Sequence, residues 1–294
     1  MKLLITGTWS QAKEYIPQIE SIGHQVLFLQ QEKDLLPCEP DWVEGVICNA
    51  LFLHHPIETF PNLKYIQLTS AGTDRIDTAY IQSHNIKLHT ARGVYSIPMA
   101  ESALAGVLSL YRGLPGFQRN QQTHTWEKNR NLRELNGQTV LILGCGSVGT
   151  ECAKRFKAFD CKVIGVDLFP RKDENYDQIY HLTDLDDLLP QGDVVLLTLP
   201  LTEATRGLIN QERLSLIHGV LVNIARGAII DQKALESWDG EAVLDVFAEE
   251  PLPPENPLWE NNHFLITPHN SFISEIIASR LTIMILNNLN TALP

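Results

Sequence analysis

The sequence predicts an α/β protein built from two doubly wound parallel sheets, and three observations carry that expectation. Short apolar runs alternate with amphipathic stretches along the whole chain, bounded by Gly, Pro or polar residues. That is the pattern of parallel strands joined by helical crossovers. One run, Thr139–Leu143, closes in a glycine-rich turn, Gly144-Cys145-Gly146-Ser147-Val148-Gly149. At 294 residues, the chain has the length of two ordinary domains, each with room for its own core.

The first group of expected strands covers 3–6, 26–29, 46–48, 65–68 and 87–89, with amphipathic segments such as 12–22 between them. Pro98-Met99-Ala100-Glu101 then opens a long helical stretch, proline being suited to a first helical turn. After the glycine turn, Val148, Cys152, Ala153, Phe156 and Phe159 recur at helical spacing. A second group of strands is expected at 162–166, 194–199, 221–223, 242–244 and 264–266. In the last segment Ile273, Ile276, Ile277, Leu281, Met284 and Ile285 also recur at helical spacing. This predicts a terminal helix that crosses back to the first domain.

Each residue of the glycine turn has a physical task in a dinucleotide site. Gly144 permits the tight turn, Gly146 lets the backbone approach a pyrophosphate, and Gly149 lets helix and strand pack closely. The helix beginning at Ser147-Val148 offers free N–H groups and a positive dipole end to the anion. Asp167 ends the next apolar run, 18 residues beyond Gly149. A carboxylate there accepts the adenosine ribose hydroxyls, so NAD is expected in preference to NADP. Arg171 and Lys172 follow closely and partly offset its charge.

Composition narrows the partners. Net charge is −12, which repels polyphosphate backbones and anionic bilayers, so neither nucleic acid nor a membrane surface is expected. The opening Met1-Lys2-Leu3-Leu4-Ile5 reads as a first strand rather than a signal peptide, and no apolar run reaches membrane-spanning length. The five cysteines include no C-x-x-C pair and suit free thiols in the cytoplasm; no metal site is expected.

Ligands of open α/β sheets bind beyond the C-terminal strand ends. Three polar residues stand there on the last strands: Arg226 in Asn223-Ile224-Ala225-Arg226-Gly227, Glu250 before Pro251, and His269 in Thr267-Pro268-His269. Histidine titrates near neutral pH and suits proton transfer. Arginine binds a carboxylate through paired hydrogen bonds. A glutamate beside an imidazole favours its protonated form.

With these residues in order, the chain resembles the D-isomer-specific 2-hydroxyacid dehydrogenases. Further motifs of that resemblance are Ser70-Ala71-Gly72-Thr73-Asp74-Arg75-Ile76-Asp77, Gly93-Val94 with Ala100-Glu101, and the segment from Leu199-Pro200 through Thr205-Arg206-Gly207. The resemblance implies a Rossmann-like NAD-binding domain, residues 98–271, inserted into a flavodoxin-like substrate domain, residues 1–97 and 272–294. It implies hydride transfer between NAD(H) and C2 of a small D-2-hydroxy acid or 2-keto acid. Arg226 would bind the substrate carboxylate, His269 would be the acid/base and Glu250 its partner. Backbone N–H groups of Ala71 and Gly72 would help hold the carboxylate, while Leu199, Pro200, Thr205 and Ala225 would line the cofactor. Arg75 and Arg92 are either substrate contacts or solvated cations. A homodimer is also implied.

Two departures stand out. The stretch between Arg226 and Asp245 is short for the family and suggests a trimmed helix around 236–240. No appended regulatory domain is expected, and hence no control by a bound amino acid. The same fold also serves non-catalytic NAD(H)-sensing corepressors, the alternative reading; a formate-dehydrogenase-like enzyme is disfavoured by Glu250 beside the histidine.

Overall fold

A computed structural model describes residues 1–291 and divides the chain into two compact units. One is Met1–Tyr95 together with the segment from Ser274 onward; the other is Ser96–Ile273. The last three residues of the expected 272–294 segment lie outside the described residues.

The first unit contains β1 (Lys2–Thr6), α1 (Ala12–Ser21), β2 (Gln25–Leu29), β3 (Gly45–Cys48), β4 (Tyr65–Leu68), α2 (Thr78–Ser83) and β5 (Lys87–His89). Its strands form one parallel sheet in the order β2-β1-β3-β4-β5, with Leu3 beside both Val26 and Gly45. This is the flavodoxin-type order, reversing between β1 and β3. Alternate residues serve opposite faces, as the two-residue period of a strand dictates. Leu4, Val46, Cys48, Ile66 and Leu68 join one buried cluster, and Leu3, Ile5, Ile47 and Tyr65 the other. The second cluster is completed by Leu281, Ile285 and Leu289 of the last helix, Ile277–Thr291. Ile273 and Ile276 precede that helix and are exposed, so its apolar face starts later than the spacing suggested.

The second unit begins with α3 (Ser96–Tyr111) and α4 (Leu114–Gln122). It continues through β6 (Thr139–Leu143), α5 (Ser147–Lys157), β7 (Lys162–Asp167), β8 (Gln178–His181), α6 (Leu185–Leu188) and β9 (Val194–Leu197). α7 (Gln211–Leu216), β10 (Val220–Asn223), α8 (Gln232–Glu236), β11 (Glu241–Leu244) and β12 (Phe264–Ile266) complete it. All seven strands are parallel in the order β8-β7-β6-β9-β10-β11-β12, the Rossmann order with one added strand. Again the strands alternate. Val140, Ile142, Leu196 and Val222 pack with α3 and α5, while Leu141, Leu143, Leu197 and Leu221 pack with Leu185, Leu214 and Leu235 of the opposite helices.

Some local expectations shift. Phe159 lies beyond α5 and is exposed, because the helix ends at Lys157. β9 stops at Leu197 rather than residue 199; Thr198 N makes the last ladder bond, to Leu143 O, and its hydroxyl donates to Gly144 O at 2.6 Å. The helix expected around 236–240 is instead α8, a short turn that closes at Glu236. β8 was not anticipated: it is a four-residue edge strand with exposed ends and no apolar run. Among the described residues, no helix is long and apolar enough to cross a membrane, and no cluster of His, Cys, Asp or Glu is arranged to hold a metal.

Candidate active site

The order of the second sheet reverses between β6 and β9, and the glycine turn leaves β6 at that point. Gly144 has φ 99°, a left-handed conformation that excludes most side chains. A Cβ there would also lie 2.8 Å from Leu199 N, so the turn and the loop after β9 are in direct contact. At Gly149 a Cβ would meet Gly144 O at 2.1 Å, which enforces close packing of α5 on β6. Gly146 differs: nothing stands within 4 Å of where its Cβ would be. Neither strain nor packing requires glycine there, and the open space lies at the N-terminus of α5, beside Ser147 and Val148. These residues fit a dinucleotide pyrophosphate, which needs N–H donors, a helix dipole and close backbone approach.

Asp167 ends β7 beside this turn. One carboxylate oxygen accepts the N–H of Cys145 at 2.7 Å and the other that of Phe169 at 3.0 Å. Arg171 donates to the carbonyl of Cys145 and lies 3.6 Å from Asp173. Asp167 therefore fastens the glycine turn while each oxygen keeps a lone pair for a further donor. The Cys145 side chain is buried, directed toward Gly165, where a Cβ would come within 2.5 Å of the sulfur. Burial pushes its thiol up to about 12.

Leu199 is buried and Pro200 exposed in the loop after β9. Thr205 is buried, and its hydroxyl is engaged inside that loop, donating to Pro200 O at 2.7 Å and accepting from Thr202 N at 2.8 Å. It shapes the segment from within.

The polar strand ends of β10, β11 and β12 are fastened to one another. Buried Asn223 accepts the N–H of Ala225 and donates to Arg226 O, fixing the turn that carries Arg226. The Arg226 side chain is half-buried and donates from Nη1 to Ala225 O at 2.8 Å. Gly227 follows and packs on the backbone of Phe247. The N–H of Phe247 donates to Glu250 Oε1 at 2.9 Å, and Glu250 Oε2 lies 2.7 Å from His269 Nδ1. An ionised carboxylate only accepts, so the ring proton of this pair sits on Nδ1 and Nε2 is left for exchange. Side-chain exposures of 37% for His269 and 35% for Glu250 leave the pair open to a ligand.

Sequence reasoning passed over Asp245, which is buried at the end of β11 and bonds the turn bearing His269. An acid directly after an apolar strand was the available signal. Phe272 was missed as well; its ring stands edge-on to the His269 imidazole, with centroids 5.7 Å apart.

In the first unit, Ala71 and Gly72 follow β4, where Ser70 Oγ donates to Gly72 O at 3.0 Å. Arg75 Nη1 donates to Asn49 Oδ1 at 3.1 Å, and Arg92 is exposed.

Strand order and glycine turn together place the second unit among the dinucleotide-binding α/β domains. Comparison with known proteins makes the assignment specific. The chain belongs to the D-isomer specific 2-hydroxyacid dehydrogenase family, whose NAD-binding-domain model matches residues 104–271. It is 33% identical over 273 residues to a glyoxylate reductase of Thermofilum pendens, covering 88% of this chain and 77% of that protein. It is 36% identical to a D-3-phosphoglycerate dehydrogenase of Archaeoglobus fulgidus over 72% of this chain and 42% of the other. The crystal structure of a D-isomer specific 2-hydroxyacid dehydrogenase family protein from Aeromonas salmonicida superposes with a TM-score of 0.81 at 28% identity, over 99% of this chain and 94% of that one.

Proposed function

We propose that this protein is an NAD(H)-dependent dehydrogenase interconverting a small 2-keto acid and the D-2-hydroxy acid. The observation that carries the reading is the 2.7 Å contact between His269 Nδ1 and Glu250 Oε2, on strand ends adjoining that of Arg226. The nicotinamide, when bound, supplies or accepts the hydride at C2. Gly144, Gly146, Ser147, Val148, Gly149 and Asp167 would hold the nucleotide, with Leu199, Pro200 and Ala225 lining it and Thr205 shaping that lining.

In the reductive direction His269 starts protonated and gives the Nε2 proton to the C2 oxygen as it gains charge. Glu250 holds the opposite ring nitrogen, which sets the tautomer and the orientation of the ring. Arg226 pairs with the substrate carboxylate and polarises the C2 oxygen. Ala71 and Gly72 would contribute backbone N–H groups to the carboxylate. In oxidation the same histidine, now neutral, accepts the hydroxyl proton. Asp167 favours NAD, since a 2′-phosphate would meet its carboxylate. The protein is proposed to act as a cytoplasmic homodimer. The relatives named above carry enzyme names, which gives the non-catalytic corepressor reading no support.

The test is NADH oxidation with glyoxylate, hydroxypyruvate, phosphohydroxypyruvate, pyruvate, 2-ketoisocaproate and ketopantoate. Turnover of at least one is expected, and its loss in His269→Ala. No turnover across the panel, with NADH still bound, would remove the catalytic reading.

A further inference from the structure

We propose that Glu32 is a built-in anion at the switch point of the first sheet, a positioning residue that sets the 70–77 loop for the substrate carboxylate; the role rests on the dehydrogenase reading above. The order of that sheet reverses between β1 and β3, the place where an open α/β sheet takes a ligand. Two successive N–H groups, those of Asn49 and Ala50, follow β3 there, an arrangement suited to an anion. The chain meets them with its own carboxylate. Glu32 Oε1 accepts from Asn49 N at 2.7 Å and from Thr6 Oγ1 at 2.9 Å, while Oε2 accepts from Ala50 N at 2.7 Å. Thr6 ends β1, so the donors come from both strands that flank the reversal. Glu32 lies beyond β2 and is 9% exposed. Gly7 lets the segment leading to it lie against the end of β1: a Cβ there would stand 2.3 Å from Gln30 O.

A carboxylate is costly to take out of water unless donors compensate it, and these three do. An apolar residue would fill the same space but leave two main-chain N–H groups without an acceptor. What the carboxylate fixes is the turn at 49–50, and that turn is tied to the next loop: Asn49 Oδ1 accepts Arg75 Nη1 at 3.1 Å. The 70–77 loop is held at its entry by Thr69 N on Cys48 O and Ala91 N on Ser70 O, both at 2.8 Å. At its exit Asp77 caps α2, accepting Tyr80 N at 2.9 Å. Arg75 fastens the stretch between. Ala71 and Gly72 lie inside these ties, and among the described residues no protein acceptor faces either N–H. Those are the donors proposed for the substrate carboxylate. A shift of the 49–50 turn therefore passes through Asn49 and Arg75 to the groups that bind it. Glu32 acts through them and touches no reacting atom.

The experiment compares parent, Glu32→Ala, Glu32→Gln and Asn49→Ala for KM and kcat with the best 2-keto acid, and for NADH affinity by fluorescence titration. Loss of a charged acceptor costs about tenfold or more in the binding it supports, so KM of Glu32→Ala should rise at least about tenfold. kcat and NADH affinity should each change less than about 3-fold, the signature of binding lost to the substrate alone. Glu32→Gln keeps one oxygen for Asn49 and Thr6 and should lose less. Asn49→Ala leaves the carboxylate in place and cuts the tie to Arg75. It should raise KM too, and it serves if Glu32→Ala does not fold. Combined with Glu32→Gln, its loss should be less than multiplicative, because both act along one route. Parent-like KM in Glu32→Ala or Asn49→Ala, a parallel loss of NADH affinity, or strictly multiplicative losses would each overturn the proposal. The amide NMR signals of Ala71 and Gly72 give a readout independent of turnover: they should shift in both Glu32→Gln and Asn49→Ala, and unmoved signals would also overturn it. If they shift while the parent reduces none of the keto acids tried, the dehydrogenase reading fails and the tie between Glu32 and the loop stands.

Discussion

A single methyl group at Gly227 would lie 1.9 Å from the carbonyl carbon of Phe247, deep inside van der Waals contact. The turn presenting Arg226 and the segment holding Glu250 are therefore pressed backbone to backbone. Gly227→Ala must push them apart. We expect kcat/KM to fall at least about tenfold and stability to drop by about 1–3 kcal/mol, the usual cost of overpacking. Steady-state kinetics and urea unfolding measure both.

Removal of the acid/base should slow chemistry without abolishing cofactor binding. His269→Ala is expected to lower kcat by about two to four orders of magnitude, the range of a positioned proton-transfer group. Glu250→Gln should cost less, because an amide still accepts a hydrogen bond from Nδ1. Arg226→Ala should affect both KM and kcat, since the guanidinium meets the carboxylate in the ground state and the oxygen in the transition state. A pH–rate series of reduction distinguishes them, and an active His269→Ala enzyme with the parent profile would dismiss the mechanism.

Asp167 is expected to show two effects at once. Asp167→Ser should narrow the ratio of kcat/KM for NADH over NADPH, as the repulsion of a 2′-phosphate is relieved. It should also weaken binding of both nucleotides, because the N–H groups of Cys145 and Phe169 lose their acceptor. Isothermal titration with each cofactor reads the two effects separately; unchanged NADH affinity would contradict the fastening role.

The cysteines give a chemical test. Burial disfavours the charged thiolate, so Cys145, raised to about 12, holds only roughly one thiolate in ten thousand at pH 8. Cys48, Cys152 and Cys161 are also buried, leaving Cys38 half-exposed. Native protein should release one equivalent of chromophore from a thiol-reactive disulfide reagent at pH 8, and five after denaturation. Rapid native labelling of Cys145 would refute the burial.

Trp126 is 97% exposed in the segment after α4, an unusual position for so large an apolar ring. If the proposed homodimer forms, we expect a second copy of the chain to cover it. Light scattering should give twice the chain mass for the parent and a shift toward monomer for Trp126→Glu.

Much of the architecture was legible because the strands are buried on both faces and read as apolar runs ending in Gly, Pro or polar residues. β8 escaped because an edge strand with exposed ends leaves no such run. The strand-end residues Arg226, Glu250 and His269 could be singled out because parallel sheets gather chemistry at one edge. Asp245 is harder to single out: its one signal is its place directly after an apolar strand, and apart from the Thr267 hydroxyl its partners there are main-chain N–H groups more than 20 residues away. Thr205 shows the converse: its place near Leu199-Pro200 was readable, but not that its hydroxyl is spent on its own loop.

The last helix closes the core of the first unit, with Trp9 Nε1 donating to Thr282 Oγ1 at 2.8 Å across 273 positions of chain. During synthesis, then, the first sheet emerges well before the helix that completes its core. Leu3, Ile5 and Trp9 wait with an uncovered apolar face until residues 277–291 arrive, whereas the continuous stretch Ser96–Ile273 can complete its own sheet in the interval. A chain cut short of residue 277 would therefore leave this face uncovered however well the Ser96–Ile273 stretch folds.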